Sequence, residues 1–238
     1  MQPNIDEFEL PGIKVDNWSR RDLPPKELIK GRYIDLEPLS LTRLDEFEQV
    51  ILLDSLDKNL FKYMPCGPIK TRQHLELMID SLIKGSEVFF SVIDHESGKA
   101  VGLLSLMSIV PEHGTIEIGG VLFSSKMQRS RGSTEAIFLL AQLAMDKLGY
   151  RRLEWKCHSE NERSKKAALR FGFVYEGLFR NHRVFNQHSR DSLWFSITID
   201  EWPICRQSFE KWLNPDNFDK DGNQIQTLIN IRNSIVNK

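Results

Sequence analysis

Three apolar runs rich in β-branched and aromatic residues follow one another closely, at Glu87 to Asp94, Ala100 to Ile109 and Thr115 to Phe123. The joints between them, His95-Glu96-Ser97-Gly98-Lys99 and Pro111-Glu112-His113-Gly114, are too short for a crossover and full of turn formers. The runs must therefore pair antiparallel, as a meander. A polar loop then leads into Thr134 to Leu148, where Ala136, Ile137, Leu140, Leu143, Ala144 and Leu148 fall on one helical face and Gly149 acts as the stop. Beyond it the pattern predicts a strand over Arg152 to His158, a helix over Arg163 to Phe171 and a strand over Gly172 to Phe179. A polar loop through Asn186 follows, then a strand over Ser192 to Ile199. Strand-helix-strand order imposes parallel pairing in this half, so the expected sheet is mixed.

Upstream, the alternation around Ile34 and Leu36 predicts a first strand over Leu28 to Pro38. Leu44, Phe47, Val50 and Ile51 keep helical spacing behind Thr42, read as a cap. A short helix is expected over Leu56 to Met64, and another behind Thr71 that ends at Gly85. Residues 1–27, with Pro3, Pro11-Gly12 and Pro24-Pro25, read as an arm without periodicity. Residues 201–238 read as a helical extension, with helices near Glu201 to Leu213 and Gln224 to Val236 broken at Asn214-Pro215-Asp216. That leaves residues 28–200 as one α+β (mixed α/β) domain, a twisted, mostly antiparallel sheet of about seven strands flanked by helices.

A chain of 238 residues that is 40% hydrophobic can build such a core. Its formal charge of -1 supplies no net basic field, so neither nucleic acid nor membrane is an expected partner. Cys66, Cys157 and Cys205 show no CxxC or metal-type spacing, and the six histidines show no HxxxH pattern, so free thiols and no metal are expected. The opening MQPNIDEFELPG is unlike a signal or transit peptide and no apolar run is long enough to span a bilayer. The expectation is a soluble, cytoplasmic protein, with the nucleus left open.

Chemistry concentrates at two junctions. In the first, Gly119-Gly120-Val121-Leu122-Phe123 runs through Gln128, Arg129, Ser130, Arg131, Gly132 and Ser133 to Thr134. Paired glycines inside a strand mark a bulge or a close backbone approach. A strand that enters a helix through a short polar loop gathers free amides at the helix start, a ready anion site. The arginines and hydroxyls of the loop add charge and donors suited to a pyrophosphate, or they simply cap and solvate the turn. In the second junction, Asn161 to Gly177, Asn161 either caps a helix or meets a ligand, and Ser164 is a surface hydroxyl or a functional one. Glu117, just before the glycines, is either a carboxylate on an exposed strand face or a base.

Taken together, the loop before a helix and Asn161-x-x-Ser164 ahead of a helix that ends in Gly172-Phe173 resemble the GNAT superfamily, and most closely its RimJ- and RimL-like N-acetyltransferases. Thr134-Glu135-Ala136, Gly149-Tyr150-Arg151-Arg152-Leu153-Glu154-Trp155 and Leu169-Arg170-Phe171-Gly172-Phe173-Val174-Tyr175-Glu176-Gly177 support it, over about residues 30–200. The resemblance implies acetyl-CoA as co-substrate and a primary amine as acceptor. The pantetheine arm would run beside Val121, Leu122 and Phe123, the pyrophosphate would meet the amides of Gln128 to Ser133, and Asn161 would touch the arm. One departure stands out. Aligned on Thr134, the usual loop glycines fall on Arg131 and Ser133.

The thioester is already activated, so direct attack by a neutral amine suffices. Cys157 is not required; it and the adjacent His158 face opposite sides of a strand. Ser164 matches the position that would protonate the leaving thiolate, and Glu117 is the candidate base. Segments Phe61 to Gly67 and Phe179 to Asp191 are placed to select the acceptor. In the second, Arg180, His182, Arg183, His188 and Arg190 either bind an anionic group of the acceptor or keep the loop solvated, and Asp191 beside Trp194 would instead suit a cation. The competing class is a noncatalytic CoA-binding or scaffold protein of the same fold.

Overall fold

The computed structural model describes residues 11–53, 60–67 and 69–237. Its strands form one eight-stranded sheet in the order β1-β2-β3-β4-β5-β6-β8-β7, one strand more than expected. These are β1 (Ile29–Lys30), β2 (Ile34–Pro38), β3 (Val88–Asp94), β4 (Ala100–Val110), β5 (Thr115–Phe123), β6 (Arg152–His158), β7 (Val174–Phe185) and β8 (His188–Thr198). The helices are α1 (Leu44–Phe47, continued by a wider π turn over Glu48–Leu53), α2 (Arg72–Lys84), α3 (Arg131–Gln142, continued by a π turn over Leu143–Lys147), α4 (Glu162–Phe171), α5 (Trp202–Trp212) and α6 (Leu228–Val236). The mixed sheet flanked by helices is the expected fold class.

The extra strand arises because the first predicted strand is a tight hairpin, with Ile29 opposite Leu36 and Lys30 opposite Asp35. A carboxylate from α3 makes the bend. Glu135, only 4% exposed, accepts from the amides of Arg32 at 2.8 Å, Tyr33 at 2.6 Å and Ile34 at 3.1 Å. Gly31 is required there, because a Cβ would strike the Ile34 carbonyl oxygen and lie 2.9 Å from the Glu135 carboxylate.

Other boundaries moved for local reasons. Ser40, not Thr42, caps the first helical segment, and its hydroxyl accepts from the Thr42 amide at 3.3 Å. Thr71 caps α2 as expected, accepting from His74 N–H at 3.2 Å. Residues 54–59 of the helix expected over Leu56 to Met64 lie outside the described residues; Leu60–Tyr63 form a turn closed by Met64 N–H on the Phe61 carbonyl. The polar loop expected between Phe179 and Asp191 is instead the far half of a long hairpin. Val184 pairs with Ser189 and Phe185 with His188 across Asn186-Gln187, whose φ values of 47° and 63° make the type I′ turn that matches strand twist. Alternation of apolar and polar residues is absent from this part because neither of its faces enters the core, so periodicity could not mark it.

Strands meet antiparallel throughout except β5 and β6, which the α3 crossover makes parallel. The second strand-helix-strand unit does not pair its own strands, since β8 inserts between β6 and β7. One face of the sheet buries α3 to α6 residues against Leu36, Phe90, Ile116, Trp155 and Phe195. The other packs α1 and α2, through Phe47, Ile51, Leu75 and Ile79, on Phe89, Ile93, Leu103 and Leu122. Phe209 of α5 stacks on Phe138 of α3 at 5.3 Å and on Phe171 of α4 at 6.0 Å, holding those helices together. Residues 11–28 run over the surface, pinned where Trp18 Nε1–H donates to the Glu112 carbonyl and Tyr150 Oη–H to that of Asp22.

Candidate active site

Pairing between β5 and β6 begins at Thr115 with Arg152 and ends at Glu117 with Glu154. Beyond that point β5 continues for six residues, from Ile118 to Phe123, bonded only to β4, while β6 from Trp155 onward keeps β8, its partner along its whole length, as its one neighbour. The two strands therefore diverge into an opening with backbone polar groups along the β5 side. The glycines help make it. Gly120 has φ of 59°, and the register against β4 slips between Leu103 and Ser105, so β5 carries a bulge here. A Cβ on Gly120 would lie 2.7 Å from Phe89 Cε1, and one on Gly119 would strike Met107 Sδ. Val121 and Phe123 lean on the α3 side and Leu122 on the α2 side.

At the end of β5 the chain enters α3 three residues earlier than the periodicity predicts, so Arg131, Gly132 and Ser133 form its first turn. The side chains expected to supply donors are already committed. Ser130 Oγ caps the helix, accepting from Ser133 N–H at 3.0 Å and donating to the Met127 carbonyl at 2.8 Å. Ser133 Oγ donates to the Ser130 carbonyl at 2.7 Å, and Thr134, 1% exposed, accepts from Arg170. Gln128 Nε2–H donates to the Phe123 carbonyl at 3.2 Å. The Arg131 guanidinium lies 5.1 Å from the Tyr33 ring and 4.8 Å from that of Phe218, turned toward the C-terminal segment. What remains for an anion is backbone. The amides of Arg131 and Gly132 have no intrahelical acceptor, and the helix dipole adds about 0.3–1 kcal/mol for a negative charge there. Arg129, exposed and with φ of 61°, turns the chain into the helix. The glycine that matters is Gly132, where a Cβ would press on Ile34 Cγ2 at 2.7 Å; Arg131 and Ser133 occupy ordinary helical backbone.

On the α3 face, α4 starts beside the open part of β6. Asn161 Oδ1 caps it by accepting from Ser164 N–H at 3.1 Å. Ser164 Oγ in turn accepts from Trp155 Nε1–H at 3.0 Å, so its own proton is left to donate. Burial pushes the Cys157 thiol up, with Ser164 partly offsetting this, so that sulfur stays protonated and unreactive.

The opposite face is charged. Glu117 is 6% exposed, which removes the exposed-strand alternative. It accepts from Ser108 Oγ at 2.8 Å and from Lys156 Nζ at 2.9 Å. Lys156 also meets Glu154 at 2.8 Å and sits 4.0 Å above the Trp194 ring. Glu154 pairs with Arg152, which grips Glu176 with two nitrogens, and Ser196 donates to Glu176. The Arg152 guanidinium holds the Glu176 carboxyl below the usual range. Three carboxylates and two cations thus form one chain of ion pairs, from Glu117 at the last paired position of β5 to Glu176 on β7. Among the described residues no helix is long and apolar enough to cross a membrane.

Residues 35–174 match the family model of an acetyltransferase (GNAT) domain, well over half of the chain. The chain belongs to the GNAT acetyltransferase family. Among solved structures it is similar to a GCN5-related N-acetyltransferase from Brucella melitensis, with 41% identity over 92% of this chain and 100% of that one and a TM-score of 0.89. A probable acetyltransferase of the GNAT family from Chromobacterium violaceum ATCC 12472 shows 32% identity over 82% and 98% of the two chains, with a TM-score of 0.72. Microcin C7 self immunity acetyltransferase MccE, solved in complex with acetyl-CoA and AMP, shares the fold at 22% identity, 71% and 94% coverage and a TM-score of 0.61. A search of curated proteins finds no match. GNAT acetyltransferases use acetyl-CoA.

In this GNAT domain the β7–β8 hairpin contains groups that the sequence left in a loop. Between Phe179 opposite Ser192 and Arg183 opposite Arg190, β7 carries three residues against the single Asp191 of β8. Asp191 Oδ1 accepts from Asn181 N–H at 2.7 Å and fixes this wide bulge, with Asn181 at φ of 50°. The bulge turns His182 inward, where Nδ1 meets Ser192 Oγ at 2.9 Å and the ring packs at 5.6 Å from Phe179 and 5.8 Å from Trp194. One Asp191 oxygen is thereby taken up by backbone. From the other side Tyr63 of the Phe61–Gly67 segment reaches His158, with ring centroids 5.3 Å apart. The one signal for this arrangement in the sequence is Asn186-Gln187 flanked by Val184-Phe185, a turn pair that implies a hairpin.

Proposed function

We propose that this GNAT chain transfers the acetyl group of acetyl-CoA to a primary amine, on a protein N-terminus or a small molecule, by direct attack within a ternary complex, as in the RimJ- and RimL-like branch. The observation that carries this reading is the end of β5–β6 pairing at Glu117 and Glu154, which sets a buried carboxylate beside the open strand edge.

The acceptor enters as an ammonium into the carboxylate-rich mouth. Glu117 takes its proton, directly or through water, and the amine nitrogen then bonds to the thioester carbonyl carbon. Free backbone amides near the bulge suit the oxyanion that develops. The C–S bond breaks, the thiolate takes a proton from Ser164 Oγ, whose acceptor capacity is engaged by Trp155, and the serine recovers a proton from the acylated nitrogen as the neutral amide forms. Asn161, with its carbonyl oxygen committed to the α4 cap, has its NH2 group for the pantetheine arm. No step uses Cys157, and the free thiols accord with a cytoplasmic enzyme.

A thiol-release assay across amine classes, including peptides with different first residues, tests the reading. Release with at least one class is expected. Glu117→Gln is expected to lower kcat by about 10²–10⁴-fold, the usual worth of a positioned base. Ser164→Ala should lower kcat with little change in KM for acetyl-CoA, whereas Asn161→Ala should raise that KM. Unchanged kcat in both Glu117→Gln and Ser164→Ala, with native melting, contradicts the proton-transfer roles; a stabilised protein that releases thiol with no amine contradicts catalysis itself.

A further inference from the structure

Beyond the His182 bulge, Arg183 of β7 and Arg190 of β8 stand directly opposite each other, so both side chains lie on one face of the hairpin. Like charges so placed destabilise a sheet. Among the described residues no carboxylate pairs with either guanidinium, and Asp191, the nearest acid in sequence, is engaged by the Asn181 amide. Arg190 Nε is buried and has no hydrogen-bond partner, although its guanidinium lies 5.5 Å from the Phe185 ring. A buried, unsatisfied donor on a like-charge pair is costly unless something arrives to satisfy it.

The face is the acceptor face. Arg190, Ser192 and Trp194 alternate along β8 onto one side, Ser192 holds His182, and Trp194 carries Lys156 and hence Glu117. The field agrees with this placement. Burial, and then Arg183, Arg190 and Lys156, push the His182 imidazole below its ordinary value, while Glu117 pulls it back. Burial and Arg183 also depress Arg190, opposed first by Cys157 and then by Glu117. The phosphate cradle, by contrast, is at the start of α3, on the other side of the opening.

We infer that Arg183 and Arg190 form an oxyanion subsite on the acceptor wall, so the amine acetylated here carries an anionic group, a carboxylate or a phosphate. Its ammonium end meets Glu117 and its anionic end meets the hairpin, where an arginine fork can bind two oxygens at once. The inference rests on the reading of the Glu117 mouth as the acceptor site.

Matched primary amines that carry a carboxylate, a phosphate or a neutral amide at the same position test it by thiol release. One of the two anionic forms should exceed the amide by about tenfold in kcat/KM, and which one identifies the oxyanion. Arg190→Gln and Arg183→Gln should lower kcat/KM for that form by about 10–100-fold, mainly through its KM, and leave the amide nearly unchanged. A preference for the amide, an unaltered ratio in the variants, or an effect confined to KM for acetyl-CoA overturns the subsite. A second measurement does not need transfer. The His182 ring is titrated by NMR in sulfate and in chloride at equal ionic strength, where Glu117, Lys156, Arg183 and Arg190 are the charged groups around it. Sulfate should raise its pKa in the parent and not in Arg190→Gln; identical titrations in the parent overturn the subsite even when no amine is turned over.

Discussion

On the α3 face of the β5–β6 opening most groups free for a ligand belong to the backbone, the unpaired edge of Ile118 to Phe123 and the first amides of α3, with the Asn161 amide and Ser164 hydroxyl at the start of α4. On the opposite face they are side chains from four strands, with Glu117, Lys156, His182 and Arg190 brought together by bulges and cross-strand pairing. In the proposed reading the backbone wall meets the acetyl-CoA arm. The side-chain wall can differ between relatives without disturbing the fold, which is where acceptor choice belongs.

The largest expected effect that separates the walls comes from Gly120→Val. A β-branched residue at φ of 59°, with its Cβ 2.7 Å from Phe89, should cost about 2–5 kcal/mol in denaturant unfolding and abolish the stabilisation by acetyl-CoA. An unchanged midpoint would show that the bulge is not needed. Next, Glu135→Gln replaces a buried carboxylate held by three amides with a group that offers them a donor. A loss of about 2–3 kcal/mol is expected, with KM for acetyl-CoA raised and acceptor selectivity kept.

The smallest effects are titrations on opposite sides of pH 6.5. His182 is depressed, so the unfolded chain binds more protons in the window below 6.5, and stability rises with pH from its lowered native value up to 6.5. His95, paired with Asp35 on the far side of the sheet, is raised. Its contribution is full below pH 6.5 and is lost as pH rises through the native value. Replacing His182 by Gln should flatten the first slope and replacing His95 by Gln the second; equal slopes in parent and variants would contradict both assignments.

The backbone wall was legible in the sequence because it is made of local features. Gly119-Gly120, the polar loop and the helical period after Thr134 lie in one continuous stretch, as do Asn161, Ser164 and Gly172-Phe173. What escaped was long-range. Glu135 reads as one more helix residue until it is seen to bind the bend at Arg32 to Ile34, a contact across about a hundred positions that splits the first strand. Ser130, Ser133 and Thr134 looked like ligand donors, yet helix capping and Arg170 take them up. The hairpin read as a loop because its two faces are both polar and because a three-residue bulge removes the alternation. Even so, its arginines and His182 were marked by composition as residues that needed a reason.

Amide hydrogen exchange along β5, with and without acetyl-CoA, tests the opening directly. The account predicts that Val121 and Phe123, together with the Arg131 and Gly132 amides, become protected at saturating acetyl-CoA, while Leu122, whose amide faces β4, and Thr115 to Glu117, already paired with β6, do not change. Exchange left unaltered over Ile118 to Gly132 at saturation would contradict it.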